Sequence, residues 1–325
     1  MTIFKHLPKI DLHCHLDGSL SHEFLEKHLN KNIDINELIA PYDCSSLAEY
    51  LTKFDIPVSA LQNYDNLKCA VIEVIRQAKS ENITYLEIRF APTLSKNNTL
   101  NYKDIYEAVI EGSQDGYKKY GVFSNIIICA MRHHSKEQNL DMLRSGREYL
   151  NHGICAMDLA GDEAGFPNEN FIYLFEEAKR LEFPFTIHSG ECGRVKNIKI
   201  AVDAGAKRIG HGICLAEDKA LMEQCKEKHI GFELCPTSNY QTKAVKPGTD
   251  YPLRHFIDYG IKATVNTDNR TVSNTTMTRE YNYIIDKLNI AKEELLLLYE
   301  NSIELSFAND DIKNSLYKTI IDYEK

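Results

Sequence analysis

A closed, parallel (β/α)8 barrel is the architecture this sequence predicts, and three features of the chain predict it. Eight short β-rich runs recur along the 325 residues. Helical patterns such as NFIYLFEEAKRLE and NIKIAVDAGA lie between most of them. Polar side chains stand where several of the runs finish. Strand, helix and strand at this spacing make a parallel sheet. Eight such units in a chain of this length close into a barrel, whose C-terminal strand ends share one mouth. With no low-complexity linker and no internal repeat, the chain reads as one domain, 1–325.

The first run, Ile10–His13, leads into the stretch KIDLHCHLDG. Side chains alternate along a strand, so His13, His15 and Asp17 share a parity while Cys14 faces the other way. That makes Cys14 a packing residue. About 70 residues then separate this run from the second, Thr84–Phe90, so extra helices must lie between them and cover one mouth. In SLAEYLTKFD, Leu47, Tyr50, Leu51 and Phe54 recur at i, i+3, i+4 and i+7, an amphipathic stripe. The stripe has two readings, plain core packing or an apolar lid over the C-terminal mouth.

The third run is Ser124–Ala130, and the fourth, Gly153–Leu159, is followed by Gly161 and carries Asp158 near its end. The fifth, Phe185–His188, ends in TIHSGE with His188 and Glu191. Lys207–Gly210 is capped by His211, Gly231–Leu234 is the seventh run, and Lys262–Asn266 precedes Asp268. A barrel would bring His13 and Asp268 together although 255 positions separate them.

Composition narrows the function. No window approaches 18 uncharged apolar residues, so no helix spans a bilayer. The net charge of −9 is spread without a basic tract, which argues against nucleic acid or an anionic membrane as partner. No obligate protein partner is evident. Nine cysteines without a C-x-x-C pair read as reduced, buried thiols of a cytoplasmic protein. The start, MTIFKHLPKI, lacks the apolar core of an export signal.

A lone histidine at a strand end is ordinary, but His or Asp at four separate strand ends is hard to attribute to packing. Imidazoles with one carboxylate and no thiolate suit zinc, and less selectively iron, cobalt or manganese. An open position for water makes such a site catalytic. The fourth run, GICAMDLAG, has no lysine to bridge two metals, so one ion is expected.

With HCHLDGS, DLAGDE, HSGE, GHGI and NTDN in this order, the chain resembles the adenosine deaminase family of the amidohydrolase superfamily over nearly its whole length. The resemblance implies one zinc ion per chain, bound by His13, His15, His188 and Asp268. It implies that Glu191 donates a proton to purine N1 and that His211 orients the attacking hydroxide. Gly161 would meet purine N3 through its amide, and Asp17 would take the ribose 5′-hydroxyl. SLAEYLTKFD looks like the family's lid helix. The implied reaction is hydrolysis of adenosine and 2′-deoxyadenosine to inosine or deoxyinosine and ammonia, a step of purine salvage. Protonation at N1 makes C6 electrophilic enough for water to add.

The alternatives are a deaminase of adenine or of a modified adenosine derivative, or a two-metal, phosphotriesterase-like hydrolase. An ionised Asp17 would repel a 5′-phosphate, and adenine-acting relatives tend to carry Glu in its place. The other zinc deaminase design, H-x-E with P-C-x-x-C, is absent. Two departures from the family pattern stand out. HSGE replaces the familiar H-A-G-E, a small change expected to be harmless. Asn269 stands where a second Asp commonly meets purine N7. Because N7 only accepts hydrogen bonds, Asn269 is expected to serve as a donor that does not titrate.

Overall fold

The computed structural model describes residues 7–44, 46–191, 194–246 and 248–324. All eight expected strands form: β1 (Lys9–His15), β2 (Ile83–Phe90), β3 (Phe123–Met131), β4 (Ile154–Ala160), β5 (Thr186–Ser189), β6 (Arg208–His211), β7 (Gly231–Leu234) and β8 (Ala263–Val265). Each pairs in parallel with the next within two four-stranded sheets, β1–β4 and β5–β8. Parallel bridges Met157–Phe185 and Cys14–Asp268 join the two sheets at both seams. The barrel is therefore closed, as the sequence predicts.

Most strand boundaries differ from expectation by a residue or two, and those at β1, β4 and β8 bear on the site. β1 extends through His15, so both histidines lie inside the strand and only Asp17 follows it, in the turn Asp17–Ser19. Its register with β2 shifts between Asp11 and Cys14, an irregularity beside a functional strand end. β4 starts one residue later than read and runs one further, through Ala160, with Asp158 inside it as expected. β8 is shorter than read, because the chain leaves the ladder after Val265.

Alternation along β1 holds. Ile10 and Leu12 pack outward with Tyr85, Tyr299 and Ile303, and Cys14 joins the main apolar core. Asp11 and His13 face the barrel interior, where Thr267 and Glu233 receive them. The long first interval folds into helices His22–Leu29, Ile35–Leu38, Leu47–Leu51, Asp55–Ala60 and Tyr64–Ser80. Four start where a polar side chain caps free amides: Ser21, Asp34, Ser46 and Asn63. Helix Tyr64–Ser80 packs closely on helix Tyr102–Tyr120. A Cβ on Gly112 would lie 2.6 Å from the Lys68 carbonyl, so only glycine permits that approach.

The middle of the barrel is charged rather than aliphatic. Arg89, Arg208, Glu87, Glu233 and Asp158 have no solvent exposure. Arg208 donates to Glu87 and Glu233, each at 2.5 Å. Arg89 donates to Asp158 and Glu233, each at 2.8 Å. Removing one partner from such a group strands an opposite charge in a dry interior. Arg208→Met should therefore lower the unfolding free energy by about 3–5 kcal/mol. Urea denaturation measures this, and a loss under 1 kcal/mol would mean that the charges are not mutually dependent.

Candidate active site

The C-terminal strand ends gather the expected residues. His13 on β1 and His188 on β5 lie with ring centroids 4.6 Å apart, and His211 on β6 lies 4.8 Å from His13. Ligating atoms of His13, His188, His211 and Asp268 fall within 4.8 Å of one another. His15 joins them: its Nε2 lies 3.2 Å from Nε2 of His188 and 3.5 Å from Asp268. Five candidates thus surround one point, one more than the sequence reading assigned.

Partners on the far side of each ring separate their roles. Glu233 meets Nδ1 of His13 at 2.8 Å, and Asp158 meets Nδ1 of His188 at 2.8 Å. At His13 the hydrogen bond to Glu233 holds the Nδ1–H tautomer and leaves the Nε2 lone pair for a cation, whereas the Asp158 carboxylate pairs with Nδ1 of His188 by proximity and charge rather than through a well-aligned hydrogen bond. Nε2 of His13 is buried, makes no well-aligned hydrogen bond and lies 3.4 Å from Asp268, as two ligand atoms facing one ion would. Imidazoles and a carboxylate without a thiolate are a zinc-type donor set, so the site fits one such ion.

His211 is wired the opposite way. The Oδ1 of Asn239 accepts from the Cys235 amide at 3.2 Å and from the Tyr251 hydroxyl at 2.9 Å. Its Nδ2 therefore donates to Nδ1 of His211, at 3.0 Å. Burial, and then the neighbouring His13, hold the His211 pKa well below the usual imidazole value, so the ring is neutral. A neutral ring that accepts at Nδ1 carries its proton at Nε2. That N–H faces the cavity, 3.8 Å from the Glu191 carboxylate.

A cavity of about 270 Å3 opens onto this cluster. His15, His188, His211, Asp268 and Glu191 line its polar end, together with Asp17, Gly161 and Asn269. Leu47, Tyr50, Leu51 and Phe54 line its apolar side, and Tyr50 also packs with Ala40, Cys44 and Val272. Both readings of the amphipathic stripe therefore describe the same residues. Burial, then the charge of Asp268, pushes the Glu191 carboxyl up to about 8. Burial raises Asp17 to about 6, against the bond from the Gly18 amide. Asp17 therefore stays largely ionised at neutral pH.

Asn269 sits at the cavity wall with both amide hydrogens engaged. Nδ2 donates to Asp268 at 2.7 Å and to the Tyr50 hydroxyl at 2.9 Å. Its Oδ1 lies where a Cβ on Gly18 would fall, 1.8 Å away, so residue 18 has room only for glycine. An aspartate at 269 would set one carboxylate against another and need a proton between them. Asparagine needs none.

Sequence reasoning missed Glu233, Arg89, Asn239 and Glu163. A signal existed for the first two, because a charged residue inside a buried parallel strand is unusual. Cys14 is buried and faces Ser19 rather than the cavity, as alternation requires.

A parallel barrel with imidazoles and a carboxylate at strand ends 1, 5, 6 and 8 defines a hydrolase of the amidohydrolase type. A profile of the adenosine deaminase family matches residues 8–323, and the chain belongs to that family. It is 39% identical to the adenosine deaminase of Clostridium acetobutylicum, over 97% of each chain. Among solved structures it resembles an adenine deaminase from Arthrobacter aurescens, with TM-score 0.88, 23% identity and coverage of 97% and 98% of the two chains. It also resembles a zinc-bound amidohydrolase from Burkholderia ambifaria, with TM-score 0.87, 20% identity and coverage of 97% and 90%. The chain is a hydrolase of C–N bonds in cyclic amidines, acting on adenosine.

Asn239→Asp should move the proton of His211 from Nε2 to Nδ1 and lower kcat about 100-fold or more, since a wrong tautomer disables a catalytic imidazole. Steady-state kinetics and the nitrogen chemical shifts of His211 measure the two effects. A kcat within threefold of wild type would show that the tautomer does not matter.

Proposed function

We propose that the cavity deaminates adenosine and 2′-deoxyadenosine with Glu191 as the proton donor and His13, His15, His188 and Asp268 as holders of one zinc ion. The observation that carries this reading is the pairing of a buried carboxyl pushed up to about 8 with a neutral imidazole whose N–H faces it. Of the five candidate ligands His211 is set aside, because the proton at its Nε2 occupies the position a metal would need. The zinc in the Burkholderia ambifaria protein supports the choice of ion. Bound here, zinc would lower the pKa of a water molecule toward neutrality.

The protein's own groups do the rest. Glu191 holds its proton at neutral pH and delivers it to purine N1, which localises the C=N bond and makes C6 electrophilic. His211 donates from Nε2 to the oxygen arriving at C6 and holds it on one face of the ring. The amino group leaves as ammonia, with the oxygen and protons of water retained between the two products. The Gly161 amide would meet N3, at a backbone φ of +104° that favours glycine. Asp17 would accept from the ribose 5′-hydroxyl and disfavour a 5′-phosphate. The apolar side chains at 47, 50, 51 and 54 would cover the purine and exclude water. A cytoplasmic location belongs to the same reading, supported by eight free cysteines among the described residues. No helix among these residues is long and apolar enough to cross a membrane.

Glu191→Gln should keep the fold and the zinc but lose about 10²–10⁴-fold in kcat, because an amide cannot transfer the proton. Adenosine and 2′-deoxyadenosine should be turned over, and adenine and AMP poorly, as followed by loss of adenine absorbance. AMP consumed as fast as adenosine would overturn the role of Asp17. A nearly wild-type Glu191→Gln would overturn the acid assignment.

Asn269 would serve N7 by transferring to the purine the amide hydrogen it now gives Tyr50. Asn269→Leu should then cost roughly 1–3 kcal/mol in kcat/KM for adenosine by leaving N7 unpaired. It should hardly change inhibition by 7-deazainosine, which has a C–H at that position. Tyr50→Phe, which frees the amide hydrogen, should stay within a few-fold of wild type. Equal weakening of inosine and 7-deazainosine binding by Asn269→Leu would make the residue structural.

A further inference from the structure

The turn that carries Glu191 is held from beneath by a carboxylate the reaction does not use. We propose that Glu163 is the positioning residue of the proton donor: its buried carboxylate clamps the backbone of Gly190 and Glu191 and so aims the Glu191 side chain into the cavity. The inference rests on Glu191 acting as the acid.

Glu163 belongs to the DLAGDE stretch after β4, and only 1% of it is exposed. Its Oε1 accepts from the Gly190 amide at 2.7 Å and from Nδ2 of Asn197 at 2.8 Å. Its Oε2 accepts from the amide of Glu191 itself, at 3.0 Å. Charge-assisted bonds of this kind are the strong ones, and two of them end on consecutive backbone amides. Glu163 does not line the cavity, so it acts through Glu191 rather than on the substrate.

The turn requires glycine, whose own backbone is the least restrained: Gly190 sits at φ +74°, and a Cβ there would approach Ile198 to 2.5 Å, so the bonds around it must hold the reversal in place. The preceding residues are fixed too. Arg132 donates to the His188 carbonyl and to Oδ1 of Asn168, at 2.6 and 2.7 Å. Asn168 in turn donates to the hydroxyl of Ser189 at 2.7 Å. The metal-side histidine and the acid are thus three residues apart on one braced turn. A general acid must meet its acceptor atom within hydrogen-bond reach. A misplacement of about 1 Å can cost about 10²-fold in rate.

The test combines single and double variants with zinc content, thermal stability, kcat, KM and inhibition by a purine ribonucleoside analogue that is tetrahedral at C6. Glutamine in Glu163→Gln offers one acceptor oxygen where two receive three N–H groups from the described residues. It should lower kcat about 10- to 100-fold, with KM within about threefold and one zinc retained. Binding of the tetrahedral analogue should weaken by the same factor as kcat/KM, and inosine binding should not change. Added to Glu191→Gln, the same substitution should cost nothing more in residual kcat, because a residue that acts through another is silent once that one is gone. A kcat within threefold of wild type, or losses that multiply in the double variant, would overturn the proposal. So would parallel loss of zinc, stability and inosine binding. Should Glu163→Gln not fold, Asn197→Ser, which removes one bond to the same carboxylate, decides: a selective fall in kcat supports the clamp, and no fall or a nonselective one overturns it. An active Glu191→Gln would instead defeat the acid reading itself, which keeps the two failures distinct.

Discussion

One guanidinium inside the barrel fixes the chemistry at its mouth. Arg89 on β2 donates to Asp158 on β4 and to Glu233 on β7, and it also binds the Leu12 carbonyl on β1 at 2.7 Å. Those two carboxylates hold Nδ1 of His188 and of His13. A single buried cation therefore sets two carboxylates, each carboxylate sets one imidazole, and both imidazoles turn their Nε2 atoms toward the same point. Two carboxylates this deeply buried would be too costly without it. With it, the carboxyl of Asp158 is held far below the usual carboxylate range despite burial, in part through the charges of His188 and Arg89. Arg208 continues the pattern one layer down, so the core that stabilises the fold also orients the site.

The opposite wiring of His211 gives the site its division of labour. Carboxylates behind His13 and His188 make those rings lone-pair donors toward the cavity, whereas the Asn239 amide behind His211 makes that ring a hydrogen-bond donor. In the proposed reading, three rings of identical chemistry acquire different functions from the groups on their far side. A second connection runs from the cluster to the cover of the cavity, because Asn269 bridges Asp268 and the Tyr50 hydroxyl. Tyr50 is otherwise an apolar-stripe residue, and its hydroxyl also meets Ser273 at 2.6 Å. The helix Leu47–Leu51, whose side chains line the cavity, is thereby tied to a residue of the cluster.

The fold was legible in the sequence because parallel strands and crossover helices leave a periodic signature that does not depend on distant partners. All eight strands fall where the β-rich runs lie, and the polar strand ends meet as a barrel requires. What was not legible depends on pairings across strands. Asn239 sets the tautomer of His211 from 28 positions away, and no periodicity links them. Glu163, after β4, reaches Gly190 and Glu191 at the end of the neighbouring strand β5, 27 and 28 positions away. Ser189 read as a harmless replacement, yet its hydroxyl is the acceptor for Asn168, so it has joined the bracing of the turn. Asn269 read as a donor that does not titrate, and the acceptors its two amide hydrogens already have, on Asp268 and Tyr50, lie beyond what the sequence could show. The charges at Arg89 and Glu233 were visible as letters, but their purpose appears only when the barrel closes and brings them together.

The central claim is that the Nε2 atoms of His13, His15 and His188 converge with Asp268 on a single ion while His211 stays outside its coordination. Zinc K-edge X-ray absorption on the loaded protein tests it most directly. One zinc per chain with about three nitrogen neighbours near 2.0–2.1 Å, oxygen in the remaining positions and no sulfur is the result this account requires. A fourth imidazole in the coordination shell, a sulfur neighbour near about 2.3 Å, or a second metal at roughly 3.5–4 Å, would contradict it.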